Sequence, residues 1–148
     1  MAVVGIDEQV VHPVDVKSWV TLAKAVLSAE GVRGPAELDL TFVDRDAMTD
    51  LNAKHMGGTG PTDVLSFPLD DDPEQGGDDQ PRLLGDIVIC PEVVHGQAPQ
   101  DPVSEMALMV VHGVLHILGM DHADPHEAAV MKAAEERHLT VWRETSSA

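Results

Sequence analysis

The chemistry in this chain concentrates in one segment, His112-Gly113-Val114-Leu115-His116-Ile117-Leu118-Gly119-Met120-Asp121-His122. His112 and His116 are four residues apart in an apolar, helix-like run. That spacing puts two side chains on one helical face with Cβ atoms about 5–6 Å apart, so two imidazoles can converge on one metal ion. Gly119 is the residue type that most readily takes the left-handed conformation ending a helix, so the chain can turn there and return His122 to the same ion. Val110, Val111, Val114, Leu115, Ile117 and Leu118 wrap these ligands in apolar side chains, and no cysteine lies nearby. The expected centre is one zinc ion per chain on His112, His116 and His122. Three nitrogen ligands leave a fourth position open, as in catalytic zinc sites, where bound water reaches a pKa of about 7. Three imidazoles also suit nickel, copper or cobalt. His12, His55, His95, His126 and His138 have no partners at comparable spacing and read as surface or core residues.

Several elements must position these histidines. Val3 to Ile6 reads as a short strand. Asp15 can cap a helix whose Val16, Trp19, Val20, Ala23, Val26 and Leu27 form an i, i+3, i+4, i+7 stripe that Gly31 ends. Ala36, Leu38, Leu40 and Phe42 alternate with Glu37, Asp39 and Thr41, the pattern of a half-buried strand. Asp44 or Asp46 opens a short helix through Ala47, Met48 and Leu51 that breaks at Gly57-Gly58. Pro61-Thr62-Asp63-Val64-Leu65-Ser66-Phe67-Pro68 has a strand-like core between two prolines. Residues 70–81, acidic and containing Gly and Pro, read as a surface loop. Leu84 to Cys90 is a strand whose continuous apolar run implies burial on both faces. Val103 to Leu118 is the strongest helix, with Glu105 near its positive end. Asp124-Pro125-His126-Glu127 combines an N-cap Asp, Pro at the first helical position and a capping-box Glu. The predicted order is β-α-β-α-β-β-α-α, an α+β fold in which a small mixed sheet packs with helices.

The bulk properties fit that architecture. At 148 residues, 43% of them hydrophobic, the chain suits one domain spanning residues 1–148. Only 3% are aromatic and none is Tyr, so the core rests on Leu, Ile, Val, Met and Ala. The first residues lack the basic region and apolar run of a signal peptide, and no segment is apolar enough to span a bilayer. Cys90 is the single cysteine, so no internal disulfide forms. A cytoplasmic protein is expected. The net charge of −17 argues against an ordinary nucleic-acid binder, whose affinity comes from basic residues neutralising phosphates. Asp70, Asp71, Asp72, Glu74, Asp78 and Asp79 account for part of the charge, and the remainder is still strongly negative without them. Composition by itself does not point to RNA.

The histidine spacing matches the metzincin protease pattern H-E-x-x-H-x-x-G-x-x-H at every position except one. Where the protease carries its general-base Glu, this chain has Gly113, which cannot transfer a proton. The scaffold is therefore zincin-like with altered chemistry. In Leu51-Asn52, Pro61 to Pro68, Gly85-Asp86-Ile87-Val88-Ile89-Cys90, the segment from His112 to His122, and Met131 with Glu135, the chain resembles the bacterial YbeY endoribonucleases over most of its length. That resemblance implies a single zinc on the three histidines and cleavage of single-stranded RNA. It also implies roles in maturing the 3′ end of small-subunit rRNA and in ribosome quality control. The implied substrate is an rRNA precursor of the small subunit; the acidic surface suggests separately that basic ribosomal proteins or an assembly factor dock on it and present the RNA. Most of the family has an Arg five residues before the Pro-Thr-Asp motif, where this chain has Met56. Lys54 is the nearest positive charge in sequence.

Beyond the ligands, Asp121 is a candidate to orient a ligand imidazole or handle a proton, or to serve as a helix-end carboxylate. Thr62 and Ser66 are candidates for substrate hydrogen bonds, or hydroxyls that satisfy a turn. Asp63 and Asp86 lie in the shared motifs, with catalysis and backbone bonding both open. Met131 and Glu135 are expected to pack and cap against the zinc helix. Two other readings stay open: a peptidase or amidohydrolase on the zincin scaffold, and a non-catalytic assembly factor stapled by zinc.

Overall fold

The structure is a computed structural model that describes residues 1–69 and 82–146. Nine elements follow one another: β1 (Ala2–Asp7), α1 (Val16–Ala29), β2 (Ala36–Phe42), α2 (Arg45–Met56), β3 (Val64–Pro68), β4 (Arg82–Ile89), α3 (Pro91–Gln97), α4 (Pro102–Ile117) and α5 (Pro125–Ser146). The expected eight-element order is present with one helix added. Helix α3 starts at Cys90-Pro91, with Pro at its first position and Glu92 in its first turn. Its seven residues are too few to show a helical stripe, which is why periodicity misses it. Cys90 consequently caps α3 instead of ending β4. Asp44, not Asp46, caps α2, accepting the Ala47 N–H at 2.8 Å. The acidic loop expected over residues 70–81 lies outside the described residues.

The sheet is mixed, in the order β1-β2-β4-β3. β1 and β2 run parallel, as do β2 and β4, while β3 joins β4 antiparallel with Leu65 opposite Val88 and Ser66 opposite Ile87. Alternation sorts the side chains to two faces. Leu38, Leu40, Phe42, Ile87 and Ile89 point into the larger core, against Leu22, Ala23, Val26 and Leu27 of α1 and Val110, Val111, Val114 and Leu115 of α4. Val88 and Leu65 face the other way and join Val43, Met48 and Cys90 under α2. β4 is thus buried on both sides from Ile87 to Ile89, as its apolar run requires, although Asp86 is exposed.

Helix α4 contacts α1, α3, α5, β3 and β4, which explains why it is apolar nearly all round. Asp101 caps it by accepting the Ser104 N–H at 3.2 Å, Pro102 occupies its first position and Glu105 its first turn. At its far end the Gly119 N–H donates to the His116 carbonyl and the Met120 N–H to the Leu115 carbonyl, both at 3.0 Å. That pair of bonds is a Schellman motif, and it needs a residue in the left-handed region. Gly119 supplies it at φ 97°.

Candidate metal centre

The Schellman turn folds the chain back so that His122, on the loop before α5, returns to the last turns of α4. Ligand nitrogens of His112, His116 and His122 all lie within 4.8 Å of one another. Ring centroids are 4.4 Å apart for His112 and His116, 5.2 Å for His116 and His122, and 5.8 Å for His112 and His122. His112 and His116 are half-buried and His122 is exposed, so the group opens on one side to solvent. Behind it Val110, Val111, Val114, Leu115 and Ile117 are buried and Leu118 is half-buried, as the apolar shell requires.

Electrostatics favour the metal-binding form of one of the three imidazoles. Burial pushes the His116 pKa below its ordinary 6.5, and the neighbouring His112 and His122 push it further down. A backbone hydrogen bond at Met120 and the charge of Asp121 act in the opposite direction. A neutral imidazole is the form that ligates metals. The donor set is therefore chemically suited to a borderline divalent ion such as zinc: three imidazoles and no thiolate.

The histidines line a cleft of about 520 Å³ together with Met56, Asp63, Val64, Leu65, Ser66, Pro68, Gly119, Met120 and Asp121. Its far wall is β3, an edge strand of the sheet. Ser66 Oγ donates to the Gly113 carbonyl at 3.3 Å, tying that wall to the histidine helix. Asp121 lines the cleft and accepts the His122 N–H on Oδ1 at 2.7 Å, which shapes the loop that carries the third histidine. Thr62 is not among the lining residues; its hydroxyl donates to Asp63 Oδ1 at 3.2 Å. Asp63 also accepts the Val64 N–H at 2.8 Å, and its carbonyl accepts the Cys90 N–H at 2.9 Å, so it braces the start of β3 beside the end of β4. Asp86 lies on the opposite sheet face, across from Asp39 and away from the histidines. Asn52 donates from Nδ2 to the Gly60 carbonyl at 2.9 Å and so holds the turn leading into Pro61.

Among the other histidines, His138 is buried and bonded to Glu30 at 2.7 Å. His12 and His95 stack with centroids 4.0 Å apart, and His55 meets the edge of Phe67.

Gly113 is buried, and an ideal Cβ there would stand 2.8 Å from Ile87 Cγ2. The position that carries the metzincin general base is here turned into helix–sheet packing, so the peptidase machinery has no room as well as no residue. One functional neighbour exceeds the sequence expectation. Glu135 does more than pack: Oε1 stands 3.3 Å from Nδ1 of His112. Its place four residues after the buried Met131 marks α5's inward face, but only the tertiary docking of α5 on α4 reveals the contact.

An α+β fold whose edge strand and longest buried helix enclose a three-histidine, metal-competent cleft defines a zincin-like metallohydrolase scaffold. The family model described as Endoribonuclease YbeY matches residues 6–143. Proteins named Endoribonuclease YbeY from Salinispora tropica and Thermobifida fusca are 44% and 41% identical to this chain. The first alignment covers 90% of this chain and 92% of its relative, the second 88% of each. A relative of the same name from Mycobacterium bovis is 43% identical, over 83% of this chain and 73% of its own length. The solution structure of TM1509 from Thermotoga maritima shares the fold, with a TM-score of 0.65 over 99% of this chain and 93% of that one at 24% identity. The chain belongs to the YbeY endoribonuclease family.

Proposed function

We propose that this chain is a metal-dependent endoribonuclease with one zinc ion held by His112, His116 and His122. Its substrate is single-stranded RNA at the 3′ end of the small-subunit rRNA precursor, cut during maturation and quality control in the cytoplasm. The observation that supports it best is the convergence of three imidazole nitrogens within 4.8 Å at the rim of an open cleft, in a chain whose relatives are named endoribonucleases. Residues 1–148 act as one unit in this reading.

When bound, zinc supplies Lewis-acid stabilisation of charge developing on a phosphate oxygen and activates water near neutral pH. The chain's own residues do the rest. Burial, and then the neighbouring His112 and His122, lower the His116 pKa and so favour its neutral form. The β3 edge from Val64 to Pro68 offers a wall along which an extended strand of RNA can lie, with Ser66 as a hydrogen-bonding group and Thr62 supporting the entrance through Asp63. Asp121, with one oxygen engaged by the His122 N–H, shares the cleft with the Asp63 carboxylate and handles the proton in this reading. No Lys or Arg lines the cleft among the described residues, and the chain carries −17 overall. Basic proteins or assembly factors of the small subunit offset that charge and present the RNA.

The test incubates zinc-loaded protein with a fragment spanning the 3′ end of precursor small-subunit rRNA, beside metal-stripped protein and His116→Ala. Discrete cuts that vanish in both controls are expected. Losing a ligand should cost more than the roughly 10–100-fold typical of losing an outer-shell partner. Cuts that persist in His116→Ala would sink the reading.

A further inference from the structure

We propose that Glu135 is the positioning residue of this centre: it fixes the proton of His112 on Nδ1 and so presents Nε2, with its lone pair, to the cleft. The inference rests on the metal-centre reading above. Glu135 Oε1 and His112 Nδ1 are 3.3 Å apart, with the two side chains only 17% and 23% exposed. An ionised carboxylate can only accept hydrogen bonds. Facing it, Nδ1 must carry the proton, and a neutral imidazole protonated on Nδ1 has its lone pair on Nε2. Choice of tautomer and choice of ligating atom are therefore one event.

The two residues come from different elements, so the contact is made only when α5 is seated on α4. Met131, one turn before Glu135, is 1% exposed, and its neighbour Ala134 is equally buried. These two hold the turn of α5 from which Glu135 reaches across. His116 is supported differently, by a backbone hydrogen bond at Met120. Among the described residues, Glu135 is thus the side-chain carboxylate that meets a histidine ring of the group.

A second carboxylate–imidazole pair in the molecule shows what a plain staple looks like. His138 Nε2 and Glu30 Oε2 are 2.7 Å apart and join α5 to the end of α1, on a side of the molecule whose residues do not line the histidine cleft. Removing that pair should affect stability alone. Glu135 differs because its partner is one of three converging imidazoles, and that difference is measurable.

The experiment compares wild type, Glu135→Gln, Glu135→Leu and His116→Ala, each stripped of metal. Zn2+ affinity is read by competition with a chromophoric chelator, the tautomer of His112 in the metal-free state by 1H–15N NMR, and metal-free stability by thermal unfolding. Glu135→Leu should weaken Zn2+ binding roughly 10–100-fold and release His112 from the Nδ1–H tautomer. Glu135→Gln keeps an accepting oxygen without the charge, so it should fold like wild type, retain the tautomer and lose affinity only several-fold. Unchanged Zn2+ affinity in both variants, or an Nε2–H tautomer in the metal-free wild type, overturns the assignment. If His116→Ala binds Zn2+ as tightly as wild type, the three-histidine centre itself fails and the role of Glu135 falls with it. That result is distinct from a Glu135 effect that is absent while His116→Ala loses the metal.

Discussion

Gly113 and Ile87 touch backbone to side chain: an ideal Cβ on Gly113 would lie 2.8 Å from Cγ2 and 3.2 Å from Cδ1 of Ile87, which is fully buried. The histidine helix can lie this close to β4 only because position 113 has no side chain. Distances from His112 and His116 to the β3 wall follow from that approach. Gly113→Ala should add about 1–3 kcal/mol of overpacking, partly offset by about 1 kcal/mol of better helix propensity. The net expectation is a loss of stability on the order of 1 kcal/mol. In an Ile87→Ala background the clash disappears and the same substitution should become neutral or stabilising. A double-mutant cycle by chemical denaturation reads the coupling directly. Additive effects would show that the contact does not limit the approach.

Ser66 links the same helix to the cleft wall by donating to the Gly113 carbonyl at 3.3 Å. Ser66→Ala should therefore cost about 0.5–1.5 kcal/mol of stability. If the hydroxyl also meets substrate, KM for RNA rises in the variant at temperatures where it is fully folded. An unchanged KM with reduced stability would assign Ser66 to the wall alone, and unchanged stability would remove the tie.

Most of this centre could be read from spacing because its parts are local. His112, His116, Gly119 and His122 lie within one helix end and its turn, and helix geometry dictates where they go. The helix caps at Asp15 and Asp124 were legible for the same reason: each accepts a backbone N–H three residues on. What escaped were features set by tertiary packing. Helix α3 is held by the burial of Pro91 and Val94, not by a visible stripe. Glu135 meets His112 across 23 positions of chain. Asp86 shares a motif with buried residues, yet the pleat sends it to the face opposite the cleft. The similarity of motifs indicated that Asp86 mattered without indicating which side of the sheet it serves.

The register of β2 and β4 places Asp39 directly opposite Asp86. Partial desolvation of the carboxyl by its neighbours on the sheet, and then the charge and hydrogen bond of Asp39, raise the Asp86 pKa above its ordinary 3.8. A raised folded-state pKa means that this group's contribution is favourable below the unfolded pKa and is lost as pH rises through the folded one. At pH 7 the ionised pair is therefore a net cost. Asp86→Asn should be more stable than wild type at pH 7 by a few tenths to about 1 kcal/mol, the range of exposed cross-strand charge pairs. The gain should shrink in acid, where wild-type Asp86 carries its proton. Denaturant titrations at the two pH values test this, and equal stability at pH 7 would refute it.

Met56 is 64% exposed and lines the cleft. The cleft holds the carboxylates of Asp63 and Asp121 and, among the described residues, no Lys or Arg. A phosphate entering it meets no fixed positive side chain. Arg is the residue best shaped for that contact, because its planar fork donates two parallel hydrogen bonds to a phosphate. Met56→Arg should lower KM for single-stranded RNA several-fold at low salt while leaving stability within about 0.5 kcal/mol, as for an exposed substitution. One added phosphate contact should also steepen the dependence of log affinity on log salt by about 0.7. Met56→Lys should show the salt effect with less gain in KM, since a point charge lacks the bidentate geometry. If Met56→Arg changes neither KM nor the salt slope, the RNA backbone does not pass this wall, and its path must follow the β3 edge nearer Pro68.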